Sequence, residues 1–241
     1  MSFQAGVLQQ ITGIRHEFSI VGAATPANLF FCSQVHSGEV VEASTTLPSG
    51  IIRGDAVLTH SSRPIAVVTA DCLPLLISSH DGAWVAAVHG GWKGLRNGII
   101  AHVLEHFAAR GVGVPQLRVA IGPSIKPCCY EVSADFVNQM SASQGHLWPA
   151  AQAPWSRQQP APLLAPEIAP PRPTQEDSLW FDLSRYALYL LRAAGVNDEQ
   201  VEFSPLCTYC STPKLASYRR RSHRGDEKAF QYSWIARTAA S

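Results

Sequence analysis

Three side chains that can bind a transition metal each stand where an apolar stretch gives way to a turn containing Gly or Pro. They are His36 in QVHSGEV, Cys72 in ADCLP and His89 in AVHGGWKG, 36 and then 17 residues apart. Strand ends allow a rigid scaffold to direct side chains into one cleft. Two imidazoles and one thiolate leave one tetrahedral position of Zn²⁺ open, which is typical of a catalytic zinc that acidifies a bound water. We therefore predict a zinc site at these three residues.

Other interpretations of the same residues stay open. Two histidines and a cysteine are also the equatorial ligands of blue-copper centres, which usually add a weak axial methionine. The chain contains two methionines, Met1 and Met140, and Met140 lies at the edge of an irregular segment. Zinc is favoured on this ground, and copper remains possible. Alternatively, Cys72 is a small buried side chain beside strand-capping histidines, or a nucleophile with His89 as its general base.

The carboxylate of Asp71 directly precedes the candidate cysteine. Neighbouring residues of a strand point to opposite faces, so Asp71 faces the metal only if a turn begins there. It could orient a histidine, act as a general base or cap the turn. Asp71, Cys72 and His89 are the candidate catalytic residues.

Two segments could bind an anion. The stretch HGGWKGLRNG joins a strand to a helix, and the backbone amides of Gly90 and Gly91, together with Lys93, would suit a phosphate or a carboxylate. Arg219 and Arg220 follow a Ser-Tyr pair, and guanidinium groups bind phosphate with two parallel hydrogen bonds. The alternatives are a tight strand–helix turn and a solvated basic face.

Four further cysteines have an open role. Cys128 and Cys129 are adjacent in KPCCYEV, and Cys207 and Cys210 form CTYC. As adjacent strand residues, Cys128 and Cys129 would not readily chelate one metal ion. A Cys-x-x-Cys pair is typical of a redox site or of half a zinc site, but the sequence holds no second such pair. We interpret all four as thiols near the site.

The elements that must position these residues are short strands, with helices later in the chain. Runs of β-branched and aromatic residues predict strands at 28–35, 39–43, 55–59, 64–70, 73–79, 83–89, 117–122, 200–204 and 230–236. Helical spacing of apolar residues predicts a helix near 99–107 and another between Asp182 and Gly195. We expect an α/β (α+β) fold, a single-domain sandwich of mixed β-sheets with flanking helices over residues 1–241.

Residues 141–178 are crowded with Pro, Ala, Gln and Ser. So many prolines exclude a regular helix or a central strand. We predict a long surface insertion, partly extended, with a lid over the site as the alternative.

Charge, apolar run length and the N-terminal pattern argue against several classes of protein. The chain has 19 basic and 18 acidic residues, a balance that does not suit a nucleic-acid binder. No apolar stretch reaches the roughly 18 residues of a membrane span, and the N-terminus lacks the pattern of a signal peptide. We expect a cytoplasmic protein whose cysteines are reduced, and no feature indicates a protein partner.

Six motifs follow one another in the chain: QVH, GDAVLT, ADCLPLL, VHGGWKG, IGPSIKPCCYEV and CTYCSTPKLASYRR. In this order they resemble the YfiH family, and they extend from residue 34 to residue 220. Members are described as laccase-domain or multicopper polyphenol oxidases and as purine nucleoside phosphorylases. The resemblance implies that His36, Cys72 and His89 are the metal ligands.

The same resemblance implies broad activity on purine nucleosides. It suggests phosphorolysis of adenosine, inosine, guanosine and methylthioadenosine, and deamination of adenosine. We therefore predict a zinc-dependent purine nucleoside phosphorylase with adenosine deaminase and methylthioadenosine phosphorylase activity, whose ligands are a purine nucleoside and phosphate. The alternatives are a Cys/His-dependent amidase that edits peptidoglycan precursors and a copper-dependent, laccase-like polyphenol oxidase.

Overall fold

The computed structural model describes residues 2–238, whose largest sheet has six strands. These are β2 (Val40–Glu42), β3 (Ala56–Thr59), β5 (Leu73–Ser79), β6 (Val85–Gly90), β7 (Leu117–Ile121) and β11 (Val201–Phe203). Their order across the sheet is β11-β7-β5-β6-β3-β2. The two outermost pairs are parallel and the inner pairs antiparallel, so the sheet is mixed.

Two three-stranded sheets accompany it. One has the order β1 (Ile14–Phe18), β12 (Gln231–Arg237), β4 (Ile65–Thr69), and the other β8 (Glu131–Val132), β10 (Leu179–Phe181), β9 (Trp155–Ser156). The helices are α1 (Gly6–Gln9), α2 (Trp92–Arg96), α3 (Ile99–Ala108), α4 (Ala134–Gln144), α5 (Leu183–Ala193) and α6 (Tyr218–Arg224). Short 3-10 turns lie at Val114–Gln116, Gly145–Leu147, Ala150–Gln152 and Asp198–Gln200.

The central strands β5 and β6 are buried along their whole length. Because side chains alternate along a strand, Leu75 and Val88 share a core with α3 and α5, whereas Leu76 and Ala87 share a core with the sheet of β1, β12 and β4. Helices therefore cover one face of the large sheet and a second sheet covers the other. The predicted sandwich of mixed sheets with flanking helices is confirmed.

The clearest local predictions are also confirmed. Asp182 caps α5 by accepting a hydrogen bond from Arg185 N at 2.9 Å, and Gly195, beyond the end of that helix, has a φ of +87°. The runs at 73–79 and 83–89 form β5 and β6, joined by a turn in which Gly82 has a φ of +68°. Both glycines adopt the left-handed conformation that favours this residue.

The strand predicted at 28–35 is wrong. This segment makes only single bridges, from Phe30 to Ile65 and from Ser33 to Arg53. A side chain replaces part of the strand pairing, since the Gln34 amide donates to Val68 O and accepts from Val68 N, both at 2.7 Å. The apolar residues of the segment are extended and packed without joining a regular ladder.

The Pro-rich range 141–178 begins inside α4 and includes β9, and residues 157–178 contain neither helix nor strand. This last stretch is fixed by side chains: Gln159 Nε2 donates to Cys128 O at 2.7 Å, and Thr174 donates from N and Oγ1 to Glu131 Oε1. Within residues 2–238, none of the helices has the length and apolar character needed to cross a bilayer.

Candidate metal centre

The three predicted metal ligands come from the edge of the large sheet and from a loop beside it. Cys72 directly precedes β5, and His89 lies on β6 opposite Pro74. Because β5 starts at the edge where the antiparallel β6 ends, the pairing brings Cys72 and His89 together. His36 lies in a turn before β2, with a left-handed φ of +59°.

The ligand atoms of these side chains all lie within 4.8 Å of one another. His36 Nε2 is 3.7 Å from Cys72 Sγ, and the two imidazole rings have centroids 4.8 Å apart. Gly91 lies directly against this group. A Cβ atom at Gly91 would come within 2.5 Å of His36 Cδ2 and 3.2 Å of Cys72 Sγ, so the space that keeps the ligands together exists only with glycine there.

Asp55, which sequence patterns alone did not single out, fixes both histidines. Its carboxylate accepts hydrogen bonds from His89 Nδ1 at 2.8 Å and from the backbone N of His36 at 2.9 Å. Ser37 also donates to it, from N at 2.6 Å and from Oγ at 2.7 Å. A carboxylate on Nδ1 fixes the ring and leaves Nε2 as the atom available to a metal. One feature of the sequence could have indicated Asp55: it is a charged residue directly before an apolar run, in the motif GDAVLT, and that run forms the wholly buried β3.

Hydrogen bonding outweighs burial at each of these groups. Burial disfavours the Cys72 thiolate, yet hydrogen bonds with His36 and His89 lower the pKa of Cys72 to about 7. Burial likewise opposes the imidazolium of His89, but its bonds to Asp55 and Cys72 raise its pKa to about 9. The pKa of Asp55 is held well below its ordinary value, against burial, by His89 and Ser37. Near neutral pH the site therefore carries a partly ionised thiol, an imidazolium at His89 and an ionised carboxylate at Asp55.

This donor set fits a borderline-soft ion. One thiolate and two imidazoles suit Zn²⁺ or copper better than Mg²⁺ or Ca²⁺, which prefer oxygen. The carboxylate behind His89 and the glycine-lined space at Gly91 are what such a centre requires. Met140 is fully buried in the core on α4 and does not line the site, and Met1 lies outside the described residues.

Asp71 adopts a left-handed φ of +89° and is buried. Its Oδ1 accepts from Thr208 Oγ1 at 2.6 Å, and its Oδ2 accepts from the backbone N of Arg219 at 2.7 Å. Burial raises the pKa of this carboxyl, and these bonds oppose the rise. The carboxylate thus holds the first turn of α6, while the orienting of His89 falls to Asp55. A catalytic role for Asp71 stays a prediction.

A cavity of about 730 Å³ opens over the three ligands. Its lining includes six Phe, Tyr and Trp side chains, namely Phe31, Trp92, Tyr130, Tyr218, Phe230 and Tyr232. Cavities of roughly 300–1,000 Å³ with apolar walls and a few convergent polar groups are typical of small-molecule sites. Within the described part of the chain, no residue of 141–178 lines it.

Arg219 is the predicted anion-binding side chain that lies at this cavity. Among residues 2–238, it alone of the lysines and arginines lines the cavity. Its Nη1 donates to Glu131 O at 3.0 Å, and its guanidinium carbon lies 5.5 Å from the centroid of the Tyr130 ring. These contacts hold the guanidinium in place and leave N–H groups available to an anion.

The other predicted anion-binding residues are placed differently. Gly90 ends β6 and Gly91 precedes α2, beside the metal ligands. Lys93 is exposed on α2, with Nζ 5.6 Å from the centroid of the Trp92 ring, and it is not part of the cavity lining.

Arg220 is buried away from the cavity. Its guanidinium donates to the carbonyl oxygens of Thr208, Tyr209 and Leu215 at 2.7–2.9 Å and to Asp226 Oδ2 at 2.9 Å. Since these groups use its donors, the contacts do not support the phosphate-binding role expected of Arg220. They make it a support for the loop that leads into α6.

The four remaining cysteines predicted near the site form a second group of candidate ligands, and each is a free thiol. Cys128 and Cys129 lie in a turn rather than in a strand, with hydrogen bonds from Cys129 N and Tyr130 N to Lys126 O. The expectation that they could not readily bind one ion assumed that they lie in a strand, and that assumption is wrong.

Comparison with known proteins agrees with this architecture. The sequence model of a family described as multi-copper polyphenol oxidoreductase laccase matches residues 9–232. A purine nucleoside phosphorylase of Aquifex aeolicus is 32% identical over 170 residues, 70% of this chain and 66% of that protein. The purine nucleoside phosphorylase YfiH of Shigella flexneri is 30% identical over 207 residues, 85% of this chain and 74% of that protein.

A solved structure shows the same fold. The crystal structure of YlmD from Geobacillus stearothermophilus aligns over 97% of this chain and 94% of that one, with a TM-score of 0.77 and 21% identity. The matched family model, the identities of 30% or more and the shared fold together establish that the chain belongs to the YfiH family.

Proposed function

We propose that this protein is a zinc-dependent purine nucleoside phosphorylase that also deaminates adenosine and cleaves methylthioadenosine. The observation that carries the proposal is an aromatic-walled cavity that is lined by His36, Cys72 and His89 and also by Arg219. Relatives named purine nucleoside phosphorylase support the substrate class.

The walls of the cavity suit a flat heteroaromatic base. Trp92 and Tyr130 lie on the side of the helices, and Phe31 and Tyr232 pack edge to face with ring centroids 5.7 Å apart. Purine rings stack on such faces and need few polar contacts for affinity. The cavity volume leaves room for a ribose and a phosphate beside the base.

Arg219 is the residue that would bind phosphate. It projects from α6, its backbone N is fixed by Asp71, and its guanidinium carbon stands over Tyr130. The guanidinium, held by the Tyr130 ring and by Glu131 O, presents its remaining N–H groups in a fixed fork, which matches two phosphate oxygens. Phosphorolysis requires such a group because phosphate must attack the ribose C1′ as its bond to the purine nitrogen breaks.

His36, Cys72 and His89 would hold the zinc ion. Bound there, zinc would supply Lewis acidity and lower the pKa of a coordinated water. Asp55 keeps His89 oriented and its Nδ1 protonated. The two reactions balance as adenosine plus phosphate giving adenine and ribose 1-phosphate, and adenosine plus water giving inosine and ammonia.

The test incubates the purified full-length protein with adenosine, inosine or methylthioadenosine, with and without phosphate, and separates the products by chromatography. We expect free base and ribose 1-phosphate (methylthioribose 1-phosphate from methylthioadenosine) only when phosphate is present, and inosine from adenosine without it. His89→Ala should abolish both reactions, whereas Asp198→Asn, at an exposed pair with Arg192, should preserve them. Zinc-loaded, folded protein without either activity would contradict the proposal.

A second candidate, a Cys/His-dependent amidase, has one observation in its favour. Asp55, His89 and Cys72 are arranged as a carboxylate, a base and a thiol, the order of groups found in cysteine hydrolases. A thiol hydrolase needs no metal, so metal-free protein that still releases amine from a cell-wall precursor would favour it. Retention of activity by His36→Ala would point the same way, because His36 has no part in that arrangement.

Phenol oxidation is the third candidate, supported by the description of the family. Among the described residues, no methionine lines the cavity to serve as the axial ligand of a blue-copper centre. A copper-loaded protein with a strong visible band and oxygen uptake on phenols would favour it over zinc chemistry.

A further inference from the structure

A second group of potential metal ligands lies outside the cavity, where two turns meet. One turn, which follows β7, holds Cys128 and Cys129, and the other, which follows β11, holds Cys207 and Cys210. Because β7 and β11 are parallel neighbours, the turns after them start at the same edge of the sheet. Thr208 N donates to Ser124 O at 3.1 Å and ties the turns together.

The spacing of the four sulfur atoms matches that of the ligands around one tetrahedral ion. All four sulfur atoms lie within 4.8 Å of one another, and Cys128 Sγ is 3.9 Å from Cys210 Sγ. Zinc–sulfur bonds of about 2.3 Å place the corners of a tetrahedron roughly 3.8 Å apart. Two of the sulfurs come from a Cys-x-x-Cys turn, the usual half of such a site, and adjacent residues in the second turn provide the rest.

Lys126 stabilises negative charge on Cys207 in two ways. Lys126 N donates to Cys207 Sγ at 3.4 Å, the kind of backbone contact that supports a metal-bound thiolate. The buried Lys126 ammonium lies close enough to Cys207 and Cys128 for electrostatic attraction to thiolates there, and it donates to Ser184 Oγ at 2.8 Å.

All four cysteines are at most 3% exposed, and Ile125, Tyr209 and Ile168 pack around them. A site in which the protein supplies all four ligands and excludes water leaves no open position, which is typical of structural zinc. We propose that Cys128, Cys129, Cys207 and Cys210 bind one structural Zn²⁺ ion, separate from the ion at His36, Cys72 and His89.

This ion would fix one wall of the cavity. Thr208 lies between Cys207 and Cys210 and donates to Asp71, the residue before Cys72. Tyr130, which follows Cys129, lines the cavity under Arg219. The inference stands whichever reaction the cavity supports, because it concerns a site with no access to substrate.

The first test measures zinc per chain in full-length protein purified under reducing conditions. We expect two ions in the wild-type protein, one in the double variant His36→Ala with His89→Ala, and one in the double variant Cys207→Ser with Cys210→Ser. Cys32→Ser, a buried cysteine of neither group, should keep two. One zinc in the wild-type protein and none in the histidine variant would overturn the proposal, as would iron in place of zinc.

A second measurement does not require the cysteine variant to fold. Cobalt exchanged into the His36→Ala, His89→Ala protein should give the intense visible and sulfur-to-cobalt bands of a tetrahedral ion with four thiolates. Removal of the ion should expose four thiols to Ellman's reagent and lower the melting temperature by several degrees. A colourless cobalt-treated protein, or Cys128–Cys210 linkage found by mass spectrometry without reduction, would overturn the assignment.

Discussion

At the scale of single residues, Asp55 links two of the candidate metal ligands to the scaffold. One buried carboxylate accepts from the ring of His89 and from the backbone N of His36, so it orients one ligand and holds the left-handed turn of the other. A non-glycine residue with positive φ is costly, and the bonds to Asp55 stabilise that turn.

We therefore expect Asp55→Asn to lower zinc affinity at His36, Cys72 and His89 by roughly 10- to 100-fold, because the amide cannot match the charge that orients His89. Competition with a chromogenic chelator would measure the affinity. Asp198→Asn is the matched control, since its exposed carboxylate pairs with Arg192, far along the chain from the site. Equal zinc affinities in the two variants would show that Asp55 does not support the centre.

Arg219 allows a second prediction at this scale. Arg219→Ala should raise the KM for phosphate by roughly 10- to 100-fold, because a charge-assisted hydrogen bond contributes about 1.5–3 kcal/mol. The KM for inosine at saturating phosphate should change much less. Arg221→Ala is the matched control, since Arg221 lies over Tyr218 on the same helix and outside the cavity lining. Equal effects of the two variants would argue against a phosphate site at Arg219.

At the scale of elements, the spacing of apolar residues predicted the strands and helices that have a clear apolar pattern. β5, β6, α3 and α5 have clear apolar patterns and lie where the sequence placed them. α4 and α6 escaped prediction because ADFVNQMSASQ is weakly amphipathic and YRRRSHR has no apolar stripe; neighbouring residues stabilise them, as Asp71 does for α6. For segment 28–35 the error was the reverse, because a strand was predicted where none forms. Its apolar residues also suit an extended chain, and Gln34 pairs with Val68 through its side chain.

Gly91, which lies between β6 and α2, gives a prediction about packing. Gly91→Ala should lower zinc content and zinc affinity by at least about tenfold, since the added methyl would displace His36 from Cys72, and disturbing groups that pack against metal ligands has effects of about this size. Gly145→Ala is the control: its nearest neighbour is 4.0 Å from the added carbon and its φ is −57°. Normal zinc binding by Gly91→Ala would mean that the ligands tolerate a different spacing.

The loop before α6 depends on Arg220. Arg220→Ala should reduce the free energy of unfolding by about 3 kcal/mol, because it leaves several buried carbonyl groups without their donor. Urea denaturation would measure this loss. Arg221→Ala, one position further along α6, should change stability little. A small loss in Arg220→Ala would indicate that water replaces the guanidinium.

At the scale of the whole molecule, the cavity is assembled from segments that the sequence keeps far apart. The sheet of β1, β12 and β4 packs on one face of the large sheet, and the helices pack on the other. This packing brings together the aromatic side chains Phe31, Trp92, Tyr130, Tyr218 and Tyr232. Two of the three candidate ligands, Cys72 and His89, could be predicted from residues at strand ends, whereas His36 follows a segment that forms no strand. The walls could not, because no local pattern distinguishes an aromatic residue of a cavity from one of a core.

The Pro-rich segment is tested at this scale. Residues 161–167 include the exposed Leu163, and no residue of 141–178 lines the cavity among those described. Replacing 161–167 by a Gly/Ser sequence of equal length should leave kcat and KM within about twofold of the wild-type values, as expected for surface changes. A large rise in KM with normal stability would instead support a lid.

The hydrogen bond between Asp71 and Arg219 N has a consequence for redesign. Because the donor is a backbone N–H, variants of α6 keep this bond where the helix backbone stays in place, whereas variants that shift the backbone will also displace Asp71, the residue before Cys72. Screening should therefore score metal occupancy beside turnover. Diversifying Phe31 and Tyr232 on the opposite wall offers a way to retune the pocket with less disturbance of the ion.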